Sequence, residues 1–497
     1  MKQLIILCIV FLSSLYSFGQ TRTAYRAETF GSAATGDNTP FWMVNHRWGM
    51  TALDAGNWYV RGGVFHEQTL NRNWSWDAGI DLAGSSDAPY GKAWLQQLYG
   101  RLNWKIWRLD IGSREDYVSF LHPDLSSGDF IRSNNARPRP QLRISLPEFL
   151  LIPHTKGILS IKGDFSVGKY TDGQWQEDRA VANNKSYSKD ALSHEKSVYF
   201  KFGDIETRHK MQFTFGLNQS AQWGGVLYRA GRNEYTIEKQ PRGIDDLFRV
   251  LIAKEGSGSA SVADKEYVAG SQKGAYTLKY DYQLTNENQV SAYIHHYFDD
   301  GSGLAWENYP DNMIGLEFRS REKHLLSGAV FEYIYTKQQT GPIHFNTAMD
   351  DEHRDKLIHK GNGNDSYYNH GDYPQGHSYF GKSMGTPLFL SPEYNTDGSM
   401  NFTGNRIIAF HAGIEGYLQP VFQYRLLLTS GQNWGRYYLP YKEVKKGVAS
   451  QLELIYTCPK IALDIRLSVA YNRGAFFGGD DFGAGITLLK RGVIYNK

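Results

Sequence analysis

The chain has 497 residues, with 54 Lys plus Arg against 51 Asp plus Glu, a formal net charge of +3 and a mean hydropathy of -0.50. That balance gives no support for a nucleic-acid partner, which calls for a basic excess, and 2 Cys with 16 Pro exclude a disulfide framework and a collagen-like chain. The 51 Gly and 14% aromatic residues fit many strands joined by tight turns.

Lys2 precedes an unbroken apolar run from Leu4 to Leu12, and Ser17-Phe18-Gly19 supplies small residues where a signal peptidase reads. Residues 1–19 are therefore expected to be a secretory signal peptide. Cys8 lies inside that run, so the mature chain would keep only Cys458, which cannot form an internal disulfide. A large exported chain without disulfides suits a bacterial envelope. Residues 20–57 are less regular, with turn-like Thr35-Gly36-Asp37-Asn38-Thr39-Pro40, and are expected to be a periplasmic or plug segment.

From residue 58 onward apolar and polar residues alternate repeatedly. Trp74, Trp76, Ala78, Ile80 and Leu82 interleave with Ser75, Asp77, Gly79 and Asp81. Met211, Phe213, Phe215 and Leu217 oppose Gln212, Thr214 and Gly216, and Leu463, Ile465, Leu467, Val469 and Tyr471 oppose Asp464, Arg466, Ser468 and Ala470. Period two places the sets on opposite faces of a strand. A soluble sandwich would turn the polar face to water; an outer-membrane barrel turns the apolar face to lipid and the polar face to its lumen. Recurrence without a linker to residue 488, apolar sets ending in Tyr or Trp, and polar sets carrying both charges favour the barrel. The fold class expected is all-β, a large transmembrane antiparallel β-barrel over residues 58–497. Spanning strands of about 9–11 residues in units of about 25 give on the order of 16–20 strands. Residues 170–196 and 341–403 read as long extracellular loops.

No chemistry-bearing constellation stands out. His-Glu-x-x-His is missing from the sequence, and Trp223-Gly224-Gly225 and Trp434-Gly435 are not phosphate loops. His295 and His296 sit on a strand, while His344, His353, His359, His370 and His377 lack metal-ligand spacing. No catalytic residue, metal or cofactor is expected, and the chain is read as a non-enzyme. Loop aromatics with Asn, Asp and Arg suit polysaccharide instead, rings stacking on sugars and planar groups bonding to hydroxyls.

Ser133-Asn134-Asn135-Ala136-Arg137-Pro138-Arg139-Pro140-Gln141, then Gln219-Ser220-Ala221-Gln222-Trp223-Gly224-Gly225, then Asn433-Trp434-Gly435 together resemble the Wzi-type capsule assembly family of outer-membrane proteins, in its Bacteroidetes-like branch. The resemblance runs from about residue 25 to the end. It implies a barrel of about 18 strands with a lumen at least partly plugged. It further implies a lectin-like role, anchoring capsular or surface polysaccharide and assisting capsule assembly. Asn135, Arg137, Arg139, Gln141, Gln219, Trp223 and Trp434 are the signature residues, as candidate glycan contacts or structural positions. Pro138 and Pro140 cannot donate ladder bonds, so their segment is expected at a turn, plug or edge. The last aromatic, Tyr495, stands two residues before the end, where outer-membrane barrels usually finish on one. Expected partners are surface polysaccharide, outer-membrane lipid and lipopolysaccharide, and the barrel assembly machinery, with no nucleic acid. The rival readings are a porin or transport channel and a lipid-modifying barrel enzyme.

Overall fold

The computed structural model describes residues 19–85, 89–203, 210–232, 234–254, 269–299, 301–339 and 365–497. The expected signal peptide lies, apart from Gly19, outside the described residues. So do residues 340–364 of the second long loop, with His344, His353 and His359.

In chain order the strands begin with β1 (Thr21–Asn38), β2 (Asp54–Thr69), β3 (Trp74–Ser85), β4 (Ala93–Trp104), β5 (Trp107–Ser113), β6 (Gln141–Leu151) and β7 (Leu159–Lys169). Then come β8 (Tyr187–Lys189), β9 (Leu192–Phe202), β10 (Met211–Trp223), β11 (Val226–Ala230), β12 (Tyr235–Lys239), β13 (Ser271–Gln283) and β14 (Asn288–Phe298). The rest are β15 (Asn312–Ser320), β16 (Gly328–Tyr335), β17 (Ser378–Tyr379), β18 (Lys382–Ser383), β19 (Ile407–Gln419), β20 (Phe422–Gly435), β21 (Pro440–Cys458), β22 (Leu463–Arg473) and β23 (Asp481–Asn496). Eighteen of them form one sheet; β8, β11 and β12 make a small separate sheet, and β17 pairs with β18. Each wall strand runs antiparallel to its neighbours. The sheet closes where β1 pairs with β23, in register Ala27↔Lys490 and Phe30↔Thr487. Closure satisfies every wall strand's backbone groups, which is what lets strands stand in lipid.

The outer face is apolar. On β22 Leu467 and Val469 are 51% and 44% exposed, whereas Ser468 and Ala470 between them are buried. Rings gather at both rims: Trp74 stacks on Trp104 at 5.8 Å and Phe422 meets Tyr456 at 4.8 Å at one end, and Trp58, Tyr471 and Phe482 are exposed near the other. An apolar band between aromatic girdles is the signature of an outer-membrane barrel. No helix among the described residues is long and apolar enough to cross a membrane. Short turns such as 70–73, 105–106, 420–421 and 459–462 lie at one end, with the paired termini (Thr21 N–H to Lys497 O, 2.9 Å). The long connections all lie at the opposite end, which in bacterial barrels faces outward.

Residues 20–57 differ from the expected cap or plug. Thr21–Asn38 is wall, and only 39–53 turns into the lumen. Small residues around Gly31-Ser32-Ala33-Ala34 hide the alternation of β1, whose place is fixed by pairing with β2 and β23. The first long loop ends at Ala191, because Leu192 already pairs in the wall. The second leaves the wall at the end opposite the short turns, and its described part folds inward.

The lumen is filled by three inward connections: 39–53, 114–140 and 365–406. Phe41 and Trp42 from the first, Leu125 and Phe130 from the second, and Tyr368, Phe389 and Phe402 from the third share one core with inward-facing Ala275, Tyr293, Met313, Ile334, Ala409 and Leu427. Full burial of a side chain of this size contributes about 1.5–3 kcal/mol. Buried polar groups fix the register. Glu332 on β16 accepts from Ser126 Oγ (2.6 Å), Ser127 N–H (2.7 Å) and Tyr293 Oη (2.6 Å). His411 Nε2 lies 2.7 Å from Leu125 O, and Trp42 Nε1 donates to Thr429 Oγ1 at 3.1 Å.

Candidate functional site: a charged lane beside the plug

The plug is attached unevenly. Its largest apolar core meets β13–β16 and β19–β21; a smaller one joins Met43 and Met50 to Phe30, Tyr59, Ala83 and Trp94 of β1–β4, and between it and β9 the plug also meets arginines and carboxylates. Asp116 on the 114–140 connection accepts from Arg101 of β4 (3.2 Å) and Arg143 of β6 (3.1 Å). Arg143 reaches Asp164 of β7 at 3.2 Å, and Asp164 also takes Arg132 of the plug at 2.8 Å. Arg132 continues to Glu195 of β9 at 3.4 Å, and Glu195 also pairs with Arg139. The result is an unbroken chain from Arg101 through Asp116, Arg143, Asp164, Arg132 and Glu195 to Arg139. Beside it, on β1–β3, Arg61 binds Glu115 at 2.9 Å and, with Arg26, also binds Asp81. Guanidinium groups favour these sites because their planar fork serves two carboxylates at once.

Cavities follow this lane. One of about 420 Å³ lies at the short-turn end between Arg22, Glu67, Gln68, Asp77 and Asn103. A second of about 310 Å³ sits above it, lined by Arg26, His66, Asp77, Gln97, Tyr99, Arg114 and Glu115. The third, about 90 Å³, is held by Arg114, Asp116, Arg132, Arg137, Arg139, Gln141, Arg143 and Glu195. The free space thus narrows toward the outward end.

An aromatic lid stands over the narrowing. The Arg137 guanidinium lies 4.5 Å from the Tyr90 ring and 5.3 Å from Phe380, and Arg139 lies 4.8 Å from Tyr170. Tyr170, Tyr379, Phe380 and Met384 form one buried cluster with Ala136 and Ala191. Cation–π contacts contribute about 0.5–1 kcal/mol where exposed and about 2 kcal/mol where desolvated. Asp172, which caps the helix Gly173–Ala182, accepts from Phe380 N–H at 3.1 Å, and burial pushes its carboxyl up to about 6. Asp129 goes the other way. Burial would raise it, but His295 and hydrogen bonds from Ser119 and the Ile131 N–H hold its carboxyl well below the usual range. Burial and then the Lys273 charge bring the His377 imidazole down to about 3, and its Nε2 lies 2.8 Å from Ile131 O.

The signature residues divide into three places. Asn135, Arg137, Arg139 and Gln141 come together at the lid and lane. Asn135 is fully buried and ties all three plug connections, accepting from His46 N–H (3.2 Å) and donating to Ser383 O (3.0 Å). Arg137 also donates to Leu95 O at 2.5 Å. The two prolines sit in the irregular run into β6, not within a strand, as expected of them. Gln219 and Trp223 are on the outer side of β10, away from the lumen. Gly224 and Gly225, at φ of 63° and 82°, then reverse the chain as the left-handed region allows for glycine. Trp434 lies elsewhere on the wall, with Lys337 Nζ 3.9 Å from its ring. Arg101, Asp116, Arg132, Arg143 and Glu195 were not singled out from the sequence. Their only signal was the presence of both charges on the polar sets of neighbouring strands.

No protein-family model and no curated protein matches this chain. Among solved structures it is similar to Wzi, an outer-membrane protein of Escherichia coli involved in group 1 capsule assembly and described as a carbohydrate-binding β-barrel. The identity is 12% with a TM-score of 0.56, over 97% of this chain and 86% of that one. It is also similar to OprD of Pseudomonas aeruginosa, at 11% identity and a TM-score of 0.46 over 96% of both chains. A third is OccK2 (OpdF) of the same organism in complex with glucuronate, at 9% identity and a TM-score of 0.49 over 97% of this chain and all of that one. At 12% identity the likeness to Wzi shows the fold alone, a large barrel of the outer-membrane type.

Proposed function

We propose that this barrel holds surface polysaccharide at the outer membrane and does not serve as an open pore. The observation that supports the reading is how much of the lumen the plug occupies: apolar cores against the wall, an ion-paired lane beside them, and the Tyr90–Arg137–Phe380 contacts above. The signature segment at lid and lane and the likeness in fold to a carbohydrate-binding barrel support it, as does a lining of guanidinium, carboxylate and amide groups, which suits hydroxyl-rich or acidic chains. A role in capsule assembly and membership of the Wzi-type family, including its Bacteroidetes-like branch, belong to the same proposal. Washing a deletion strain tests it. Loss of cell-attached polysaccharide into the wash is expected, and unchanged retention would refute the anchoring role.

A second reading, a solute-selective channel, has its own observation: the cavities of about 420 and 310 Å³ form a polar vestibule at the short-turn end. Both readings place a polar solute against the same lane. They differ in whether the lid and the ion pairs part. The third reading, a lipid-modifying enzyme, could draw on the Gly-x-Ser-x-Gly spacing at 381–385, but Ser383 there is fully buried and its Oγ donates to Thr386 O at 3.0 Å, and we propose a non-catalytic protein.

A further inference from the structure

The outer side of β9, β10 and β13 carries an anomaly for a lipid-facing wall. Phe213, Phe215 and Leu217 point outward on β10, and the same parity continues to Gln219, Ala221 and Trp223. Their outward neighbours include Lys196 on β9 and Gln272 on β13. Charged and amide groups there are costly against lipid. They are covered by the helix Ile244–Leu251, which lies against the outside of the barrel: Val250 packs on Ala221 and Trp223. The polar wall residues close that helix's C-terminal end. Lys196 Nζ donates to Leu251 O, Gln272 Nε2 donates to Val250 O at 3.1 Å, and Gln219 Nε2 holds Gln272 Oε1 at 2.8 Å. A cation and amide donors at terminal carbonyls satisfy the orphaned acceptors and complement the helix dipole.

The opposite face of this helix is apolar and open. Ile244, Phe248 and Ile252, at i, i+4 and i+8, are 67%, 59% and 69% exposed. Its height identifies what covers them. A strand rising about 3.3 Å per residue at a tilt of about 40° climbs about 2.5 Å per residue. From Phe213, exposed near the short-turn end of β10, the site of Ala221 is then about 20 Å up a band about 25 Å tall. The stripe is continuous with the lipid-facing wall, at its outward boundary. The exposed Arg242 and Lys254 flank it.

We propose that the helix Ile244–Leu251 is an interfacial anchor. Ile244, Phe248 and Ile252 enter the outer leaflet at the boundary of headgroups and acyl chains, and Arg242 and Lys254 meet anionic headgroups. This rests on the barrel fold and not on the polysaccharide reading. Its test uses the full-length protein carrying Cys458→Ser, with a nitroxide placed in turn at Phe248→Cys, Ile252→Cys and Asp245→Cys, in vesicles containing phosphatidylglycerol. Folding is checked for each by its mobility before and after boiling. The ratio of collisions with oxygen to collisions with a water-soluble nickel chelate is expected to be higher at 248 and 252 than at 245. A nickel-accessible label at 248 would overturn the proposal. So would a label at 248 shielded from both reagents, which would mean that protein, such as a second copy, covers the face.

Discussion

Arg132, on a plug connection, donates through one guanidinium nitrogen to both carboxylate oxygens of Asp164 on β7, at 3.0 and 2.8 Å. Both side chains are nearly buried, at 10% and 4% exposure, and the pair joins plug to wall together with the Phe120–Tyr199 ring contact at 4.2 Å. Removing one member leaves an uncompensated buried charge, costing about 3–5 kcal/mol, whereas replacing both by apolar groups of similar volume is near neutral. Asp164→Asn is therefore expected to loosen residues 114–140, and Arg132→Met with Asp164→Leu to recover much of the loss. Protection of that segment from hydrogen exchange in detergent measures both.

Asn135 gives a second handle on the plug. Asn135→Ala removes the acceptor of His46 N–H and the donor to Ser383 O in a fully buried setting. Each unsatisfied group costs about 1–3 kcal/mol. Limited proteolysis is expected to cut 39–53 and 365–406 faster, with the wall strands unaffected.

The pH dependence has two opposing parts. His377 has its folded value lowered to about 3 against 6.5 unfolded, so stability present above about 6.5 is lost as the pH falls below it, by about 2 kcal/mol at pH 5. Asp172 has its folded value raised to about 6 against 3.8, so its contribution is full below about 3.8 and is lost as the pH rises through 6. At pH 5 it gives back about 1.4 kcal/mol. The two nearly cancel in the native lid. Asp172→Asn is expected to give residues 365–390 lower protection factors, each rate taken relative to the intrinsic rate at that pH, at pH 5 than at pH 7, and His377→Gln to reverse that order.

The lipid face makes a prediction about the wall. Leu467→Arg places a charge in the apolar band, at a cost of about 2–4 kcal/mol if it lies near the midplane. Urea denaturation of the reconstituted barrel should show that loss.

These results also mark what the sequence could convey. The β22 alternation was legible because Leu467 and Val469 face lipid while Ser468 and Ala470 face the lumen. β1 was not, because small residues fill positions 31–34 and its pairing with β23 spans nearly the whole chain. The inward fold of 365–406 depends on partners such as Gln222, whose Nε2 donates to Gly376 O at 2.6 Å from far away in sequence. The charges of the lane were visible one by one, yet which arginine meets which carboxylate follows only from strand register and plug position. The outward direction of Trp223 was within reach: the parity set by Phe213 and Leu217 carries straight to it.

The claim that the lumen is shut is tested most directly by the single-channel conductance of the purified native protein in planar lipid bilayers. The account predicts no large steady conductance from the native barrel, and openings that appear on Asp164→Asn. A large, stable conductance from the native protein would contradict it and support the channel.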